Sequence, residues 1–257
     1  MHVVLLGASR GVGYHTLLNL LQDSTNKCTV LLRDPSKLES DPKIPAGSVE
    51  IVKGDATVVD DLRKLFTTKV DLVVSSIGGV PTFGLSGIKL VGQQDLCTAA
   101  ARALVRVLSE LEAEDVPRVV AVSSMGIGEN HKVMPFLMRQ LYYWTLESAH
   151  ADKEGMEYVL LRASRTQSPP ADVSAPLPRL ISPDALKETK EGFLDELIIV
   201  RPAALVGDAA ARDESVVKVG EELATYTVRR SEVGRFIARE CVPGKNEWVG
   251  KLPIVGT

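Results

Sequence analysis

The first thirteen residues, MHVVLLGASRGVG, place an apolar run directly before three glycines. The run from Val3 to Leu6 is typical of a parallel strand that is buried on both faces. Gly7 would permit a tight turn after that strand, Gly11 would let the backbone approach a pyrophosphate, and Gly13 would let the next helix pack against the sheet. A helix that begins near Val12 would present free N–H groups to an anion. Together, these features predict a dinucleotide site.

The rest of the chain alternates apolar runs with amphipathic segments, which predicts a parallel sheet with right-handed crossovers. The predicted strands cover residues 3–6, 29–32, 49–52, 71–75, 119–123 and 197–200. Shorter strands are expected near 224–228 and 248–255, and the predicted helices cover 13–21, 94–113, 136–165 and 231–240. The pattern predicts an α/β fold, a Rossmann-type doubly wound parallel sheet with helices on both faces and a small C-terminal extension on the substrate side.

We expect one NAD(P)-binding domain over residues 1–257. Two parts of it interrupt the alternation: a proline-rich insert at about 167–193 and a small C-terminal subdomain at about 202–257. Residues 80–87, VPTFGLSG, are predicted to be a loop. Together with the insert and the 125–145 segment, the loop around Phe83 is expected to bind the substrate.

The composition excludes several classes of partner. A net charge of −3 and a pI near 5.9 disfavour nucleic acid, because contacts to phosphates need a basic surface. No apolar stretch reaches the roughly 20 residues that a membrane span needs, and the chain starts directly with a strand, so we expect a cytoplasmic protein without a leader. Cys28, Cys97 and Cys241 lack metal-ligand spacing, which predicts reduced, buried thiols and no metal site.

The glycine spacing G-x-x-x-G-x-G resembles that of the short-chain dehydrogenase/reductase superfamily. The segments LLRDPSKL, GDAT, VSSMG, ADKEGME, VRPAALVGD and YTVRRSEVGRFIA resemble its atypical members, the NmrA-like and biliverdin or flavin reductase-like NAD(P)H-binding proteins. The resemblance covers nearly the whole chain except the insert, and it implies a nicotinamide cofactor at the carboxyl ends of the strands. The predicted cofactor contacts are Gly7, Ser9, Arg10, Gly11, Val12, Gly13, Arg33, Asp55, Ala56, Ser76, Ile77, Gly78, Ser123, Arg201 and Pro202.

Two arginines indicate which nicotinamide cofactor the site would take. Sites that prefer NAD place an acidic residue after the second strand, whereas this chain has Arg33 there and Arg10 in the glycine loop. Guanidinium groups match phosphate oxygens, so we predict NADP(H) over NAD(H). Two alternatives stay open: Arg33 is a solvated surface charge, or a shifted turn brings Asp34 to the ribose. The resemblance places Asp55 beside the adenine, although an aspartate there also suits a turn or an N-cap.

The resemblance also implies a catalytic serine after the fifth strand, and Ser124 matches it. A tyrosine followed four residues later by a lysine would then handle the proton, because the cation lowers the high pKa of the phenol. Tyr142 and Tyr143 are the candidate tyrosines, but the residues at that spacing are Leu146 and Glu147, so the pair is absent.

Two other side chains are available for the chemistry. Lys153 would reach the site from a later turn of the same helix, and His150 would serve as a proton donor. In the alternative, the tyrosines pack the helix against the sheet, and His150 is solvated.

Three functions are consistent with these residues. The first is an NADPH-dependent oxidoreductase that acts on a small organic carbonyl, quinone or flavin-like substrate. The second is a non-catalytic, NmrA-like sensor of NADP(H) that would have a protein partner, and the missing tyrosine–lysine pair favours it. The third is an epimerase or isomerase of the nucleotide-sugar type, which the same absence disfavours most. The first is the main prediction, with a small-molecule partner and neither nucleic acid nor membrane.

Overall fold

A computed structural model of the chain describes residues 1–84, 87–91, 93–127, 147–168, 181 and 183–257. Its strands are β1 (His2–Leu6), β2 (Lys27–Leu32), β3 (Val49–Lys53), β4 (Leu72–Ser75), β5 (Val80–Gly84), β6 (Gly87–Val91), β7 (Arg118–Val122), β8 (Leu197–Pro202), β9 (Ala204–Leu205), β10 (Lys218–Gly220), β11 (Thr227–Val228) and β12 (Ile254–Gly256). Its α-helices are α1 (Gly11–Leu20), α2 (Ser36–Glu39), α3 (Val59–Arg63), α4 (Leu96–Leu108), α5 (Glu147–Ala163), α6 (Pro183–Lys187) and α7 (Arg230–Glu240).

The main sheet has the strand order β10-β12-β8-β7-β4-β1-β2-β3. Every neighbouring pair in it is parallel except β10 and β12. The chain leaves β1 towards β2 on one side and later returns to β4 on the other, so the order reverses between β1 and β4. In open α/β sheets, ligands bind in the crevice at such a reversal, outside the carboxyl ends of the strands. The predicted Rossmann-type fold is confirmed.

The sheet is buried on both faces. Val3 and Leu5 belong to one apolar cluster, which includes side chains of α1 and α7. Val4 and Leu6 belong to a second cluster, with side chains of α3, α4 and α5. Alternate residues of β1 therefore pack on opposite faces, and both faces exclude water. This explains why the strand is an uninterrupted apolar run in the sequence.

Several boundaries differ from the predictions. The predicted loop over residues 80–87 overlaps the antiparallel pair β5–β6, in which Val80 pairs with Val91. Two short strand-forming runs that flank glycines suit such an antiparallel pair. The glycines in VPTFGLSG made the sequence look like an irregular loop instead. β11 lies within the short strand expected near 224–228, whereas β9 and β10 were not predicted, because two or three residues give too little periodicity. The predicted helix over 136–165 is described only from Glu147, and its earlier part lies outside the described residues.

Two further features concern the length of the helices and the state of the cysteines. In the part of the chain that the structure describes, no helix combines the length and the apolar character needed to cross a membrane. Cys28, Cys97 and Cys241 are buried free thiols, as predicted. Burial raises the pKa of Cys97 to about 12, so its thiol stays protonated and does not act as a nucleophile.

Candidate functional site: a nucleotide crevice

A cavity of about 800 Å³ opens at the carboxyl ends of the central strands. It is lined by all the predicted cofactor contacts except Gly13 and Arg201, and also by Ser124 and Lys153. The predicted catalytic residues Tyr142 and Tyr143 lie outside the described residues. The chain thus brings together, at one crevice, residues from six separate strand ends.

The glycines of the first turn are required by close approach. Gly7 has φ +80°, and a Cβ there would lie 2.6 Å from the backbone oxygen of Ser76. Gly11 has φ +64°, in the left-handed region that favours glycine. A Cβ on Gly13 would lie 2.6 Å from the backbone oxygen of Gly7, so Gly13 lets α1 pack against β1 and does not itself line the cavity.

The N-terminus of α1, where the helix dipole is positive, faces this crevice. Arg10 is the N-cap residue, and its side chain makes no capping hydrogen bond. The first turn of α1 contains no acidic residue. The backbone N–H groups of the first turn, which have no intrahelical acceptor, are therefore available to an anion such as a diphosphate.

The end of the cavity near β2 carries two arginines. Arg10 and Arg33 are exposed, line the cavity and have no ion-pair partner among the residues that the structure describes. Asp34 does not line it. Its carboxylate accepts a hydrogen bond of 2.6 Å from the Ser36 hydroxyl, which lowers the pKa of Asp34. This contact turns the Asp34 carboxylate towards the start of α2 and leaves Arg10 and Arg33 facing the crevice.

Asp55 forms the turn that the sequence allowed and also lies at the cavity. Its Oδ1 accepts hydrogen bonds from the N–H and the hydroxyl of Thr57 at 2.9 and 2.8 Å, which is an Asx turn. Asp55 and Ala56 nevertheless line the cavity. The turn therefore holds the aspartate at the crevice wall, with Oδ2 making no hydrogen bond within the described part of the chain.

Lys153 is held firmly at the other end of the cavity. Its Nζ donates to the backbone oxygens of Ile77 and Val122, each at 2.7 Å. These carbonyls follow β4 and end β7, so the ammonium group joins two central strands. An ammonium has three donors, which leaves one for a bound molecule.

Two serines flank this ammonium group. The Ser124 hydroxyl lies 3.2 Å from the backbone oxygen of Met125, a weak contact that a better acceptor would replace. The Ser123 side chain is buried, with 6% exposed, and its Oγ has no hydrogen-bond partner among the described residues. A buried hydroxyl without a partner is unfavourable, so the wall of this cavity fits a ligand with polar groups.

The neighbouring Asp152 explains how Lys153 is positioned. Its buried carboxylate accepts the backbone N–H groups of Cys97 and Thr98 at 2.8 and 2.9 Å, and thereby caps the N-terminus of α4 from α5. A Cβ on Gly155 would lie 2.4 Å from the Thr98 hydroxyl, so the lack of a side chain at Gly155 lets α5 pack closely against Thr98 of α4. This packing fixes the turn of α5 that carries Lys153.

Two predicted side chains do not reach the cavity. Arg201 forms a buried, two-point ion pair with Glu157 of α5, with Nε–Oε1 and Nη2–Oε2 distances of 3.0 and 2.6 Å. We therefore correct the prediction that Arg201 contacts the cofactor: its guanidinium joins β8 to α5, and the following Pro202 lines the crevice. His150 is also buried and is not part of the lining.

Sequence reasoning missed the contribution of the C-terminal region. Asp208 and Arg230 both line the cavity, beside the glycine loop. The paired arginines in YTVRRSEVGRFIA were a visible signal, but nothing local indicated that the helix after them would pack beside α1.

Comparison with known proteins agrees with this geometry. A family profile described as NAD(P)H-binding matches residues 7–177. This chain belongs to the NAD(P)H-binding family. The glycine turn, the uncapped α1 and the unpartnered Ser123 hydroxyl of this NAD(P)H-binding protein all fit a dinucleotide.

Similar proteins extend over nearly the full length of this NAD(P)H-binding protein. Reductase pytE of Aspergillus terreus is 27% identical over 273 residues, which cover 97% of this chain and 95% of the relative. Oxidase pynE of Aspergillus niger is also 27% identical, over 96% of this chain and 95% of its own. A short-chain dehydrogenase/reductase from Veillonella parvula, crystallised in complex with NADP, has a TM-score of 0.66 at 16% identity, over 100% of this chain and 94% of that one. The family profile confirms the predicted NAD(P)H-binding family, and the likeness to this structure confirms the Rossmann-type fold.

Proposed function

We propose that this protein is an NADPH-dependent oxidoreductase that transfers hydride between the cofactor and a small carbonyl, quinone or flavin-like substrate. One observation carries the proposal. The same cavity has, at one end, two arginines that make no ion pair within the described part of the chain and, at the other, the tethered Lys153 ammonium. The relatives named as a reductase and an oxidase support redox chemistry on this fold.

Different residues of the crevice would bind different parts of the cofactor. The free N–H groups at the start of α1 would hold the diphosphate. Arg33 and Arg10 would bind a 2′-phosphate, which favours NADP(H) over NAD(H). The NADP crystallised with the Veillonella relative is consistent with this preference. When bound, the cofactor supplies a hydride from the C4 carbon of its nicotinamide ring.

The opposite end would stabilise the substrate. The third donor of Lys153 and the hydroxyl of Ser124 would hydrogen-bond the acceptor oxygen, where negative charge develops as hydride arrives. Donors that are fixed before the reaction are effective for this purpose, because they need not reorganise. Tyr142 or Tyr143, or a water molecule, would supply the proton, and these roles stay predictions.

Cofactor preference is tested by changing Arg33. Arg33→Gln should weaken NADPH binding roughly 10- to 100-fold, the range for a lost charged hydrogen bond, and leave NADH binding almost unchanged. The matched control is Lys37→Gln, which removes a nearby exposed charge outside the cavity. Calorimetric titration gives both affinities. Equal losses for NADPH and NADH would contradict a 2′-phosphate contact.

The reaction is tested with NADPH deuterated at C4. The protein is incubated with a panel of quinones, flavins and aldehydes, and NADPH oxidation is followed for each acceptor. Deuterium is then sought in the alcohol formed from an aldehyde, because its new C–H bond does not exchange with water, unlike the O–H and N–H groups of reduced quinones and flavins. Ser124→Ala should lower kcat roughly 10- to 100-fold without changing NADPH affinity. Ser109→Ala is the control, because its hydroxyl makes a similar contact to a backbone oxygen far from the cavity. Tight NADPH binding without turnover of any acceptor would favour the sensor function.

A further inference from the structure

The two helices that flank the glycine loop run side by side in the same direction. A Cβ on Gly234 of α7 would lie 2.7 Å from the backbone of His15 and Thr16 in α1. Four residues earlier in each helix, the Cδ of Arg230 lies 3.6 Å from the Cβ position of Gly11. Moving four residues towards the N-terminus in one helix thus also moves four residues towards the N-terminus in the other. The two helices are therefore parallel, and the first residue of α7 lies beside the first residue of α1.

Arg230 has donors to spare at this position. Its Nη1 donates to the backbone oxygen of Gly207 at 3.2 Å and lies 3.7 Å from the carboxylate of Asp208. Its Nε and Nη2 have no polar partner in the described ranges. The Arg230 and Asp208 side chains are 32% and 64% exposed. Ion pairs this accessible to solvent contribute little, so a stronger anion would displace the carboxylate.

We infer that Arg230 binds the cofactor diphosphate together with the N–H groups of α1, and that the diphosphate replaces Asp208 as the counterion of Arg230. This rests on the proposed NADP(H) site. The diphosphate would lie between the N–H groups of α1 and the guanidinium of α7, which matches phosphate oxygens with paired donors. The adjacency to Gly11 assigns Arg230 to the diphosphate, whereas Arg33 follows β2, where the ribose is expected.

The pairing also gives Asp208 an opposing role. Its carboxylate lines the same cavity and would repel an incoming diphosphate. A neutral side chain of the same shape would remove that repulsion and leave Arg230 free. Arg230→Gln and Asp208→Asn should therefore change diphosphate affinity in opposite directions.

The experiment compares two fragments of the cofactor by calorimetric titration. ADP carries a diphosphate without a 2′-phosphate, and adenosine 2′-monophosphate carries the reverse. Arg230→Gln should weaken ADP, NADH and NADPH binding alike, by roughly 10- to 100-fold, and leave adenosine 2′-monophosphate unchanged. Arg33→Gln should show the complementary pattern, and Asp208→Asn should tighten ADP binding.

Arg235→Gln is the matched control, because Arg235 lies on the same helix and donates to a backbone oxygen, that of Arg212, but does not line the cavity. Unchanged ADP affinity in Arg230→Gln, or an equal loss for adenosine 2′-monophosphate, would overturn the inference. If Arg230→Gln does not fold, Asp208→Asn tests the inference instead, because Asp208 is exposed. ADP affinity that is unchanged or weaker in Asp208→Asn would contradict the inference. None of these titrations needs turnover, so an inactive wild-type protein that binds NADPH would refute only the oxidoreductase function.

Discussion

Glycine has two different tasks around the nucleotide crevice. Gly13 lies at a crossing where any side chain would meet the backbone of Gly7, so it holds the scaffold together. Gly78 lines the cavity, and a Cβ there would find no atom within 4 Å. Gly13 is therefore required for packing within the protein, whereas Gly78 leaves space in the cavity that a ligand can occupy.

These two glycines should respond differently to the same substitution. Gly13→Ala should destabilise the free protein by about 1–3 kcal/mol, because the added methyl overpacks the contact of α1 with β1. Gly78→Ala should leave the free energy of unfolding nearly unchanged and reduce only cofactor affinity. Urea unfolding and NADPH titration of both variants separate the effects. A stable Gly13→Ala protein would show that α1 can shift at no cost.

Local requirements explain which site residues could be predicted. The glycines, Arg33 and Asp55 are tied to strand ends, and a strand end can be read from a short apolar run. The role of Arg201 could not be predicted in this way, because its partner Glu157 is 44 residues away and buried. The segment VRPAALVGD indicated the position of Arg201 in the fold, but only packing shows where its guanidinium points.

At the scale of elements, the start of α4 depends on a residue of another helix. Asp95, the N-cap residue of α4, makes no side-chain cap hydrogen bond, and the buried Asp152 of α5 accepts two backbone N–H groups instead. The sequence predicted both helices from their periodicity. It did not reveal this cap, since a cap that comes from a distant helix leaves no local motif.

Removing this distant cap should therefore cost stability. Asp152→Ala leaves two buried N–H groups without acceptors, so we expect a loss of about 2–3 kcal/mol in the free energy of unfolding. Asp184→Ala is the control, because that exposed aspartate pairs only with the nearby Lys187 in the described structure. Denaturant titration followed by circular dichroism measures both. A loss no larger than that of the control would contradict a capping role.

At the scale of the whole molecule, the C-terminal region completes the sheet and the crevice. β12 pairs with β8 in the main sheet, and α7 packs in the same apolar cluster as α1. The Rossmann-type core was predictable because strands and helices alternate with a strong pattern. The placement of the last fifty residues was not, because their strands are short and α7 packs beside α1, which is distant in the sequence.

Glu232 makes the stability of this assembly depend on pH. Burial alone would raise the pKa of this carboxyl, which is 1% exposed, but hydrogen bonds from Arg212 and from the Arg229 N–H lower it to about 2. A carboxyl whose pKa is lower in the folded state stabilises the protein above its unfolded pKa of about 4.5. This contribution, roughly 3 kcal/mol, is lost as pH falls from about 4.5 towards 2.

Glu232→Gln should therefore be less stable than the wild type at neutral pH, by about 3 kcal/mol, with the gap closing as pH falls towards 2. The exposed Glu247→Gln provides the control for a change of net charge. Urea unfolding at a series of pH values gives the comparison. A gap that stays constant with pH would mean that Glu232 stabilises α7 by its shape and not by its charge.

The neighbouring starts of α1 and α7 have a consequence for biosynthesis. Gly11 leaves the ribosome 219 residues before Arg230. The growing chain would therefore form the glycine turn long before Arg230 reaches the start of α1. Full-strength binding of the nucleotide should accordingly wait until α7 has been synthesised.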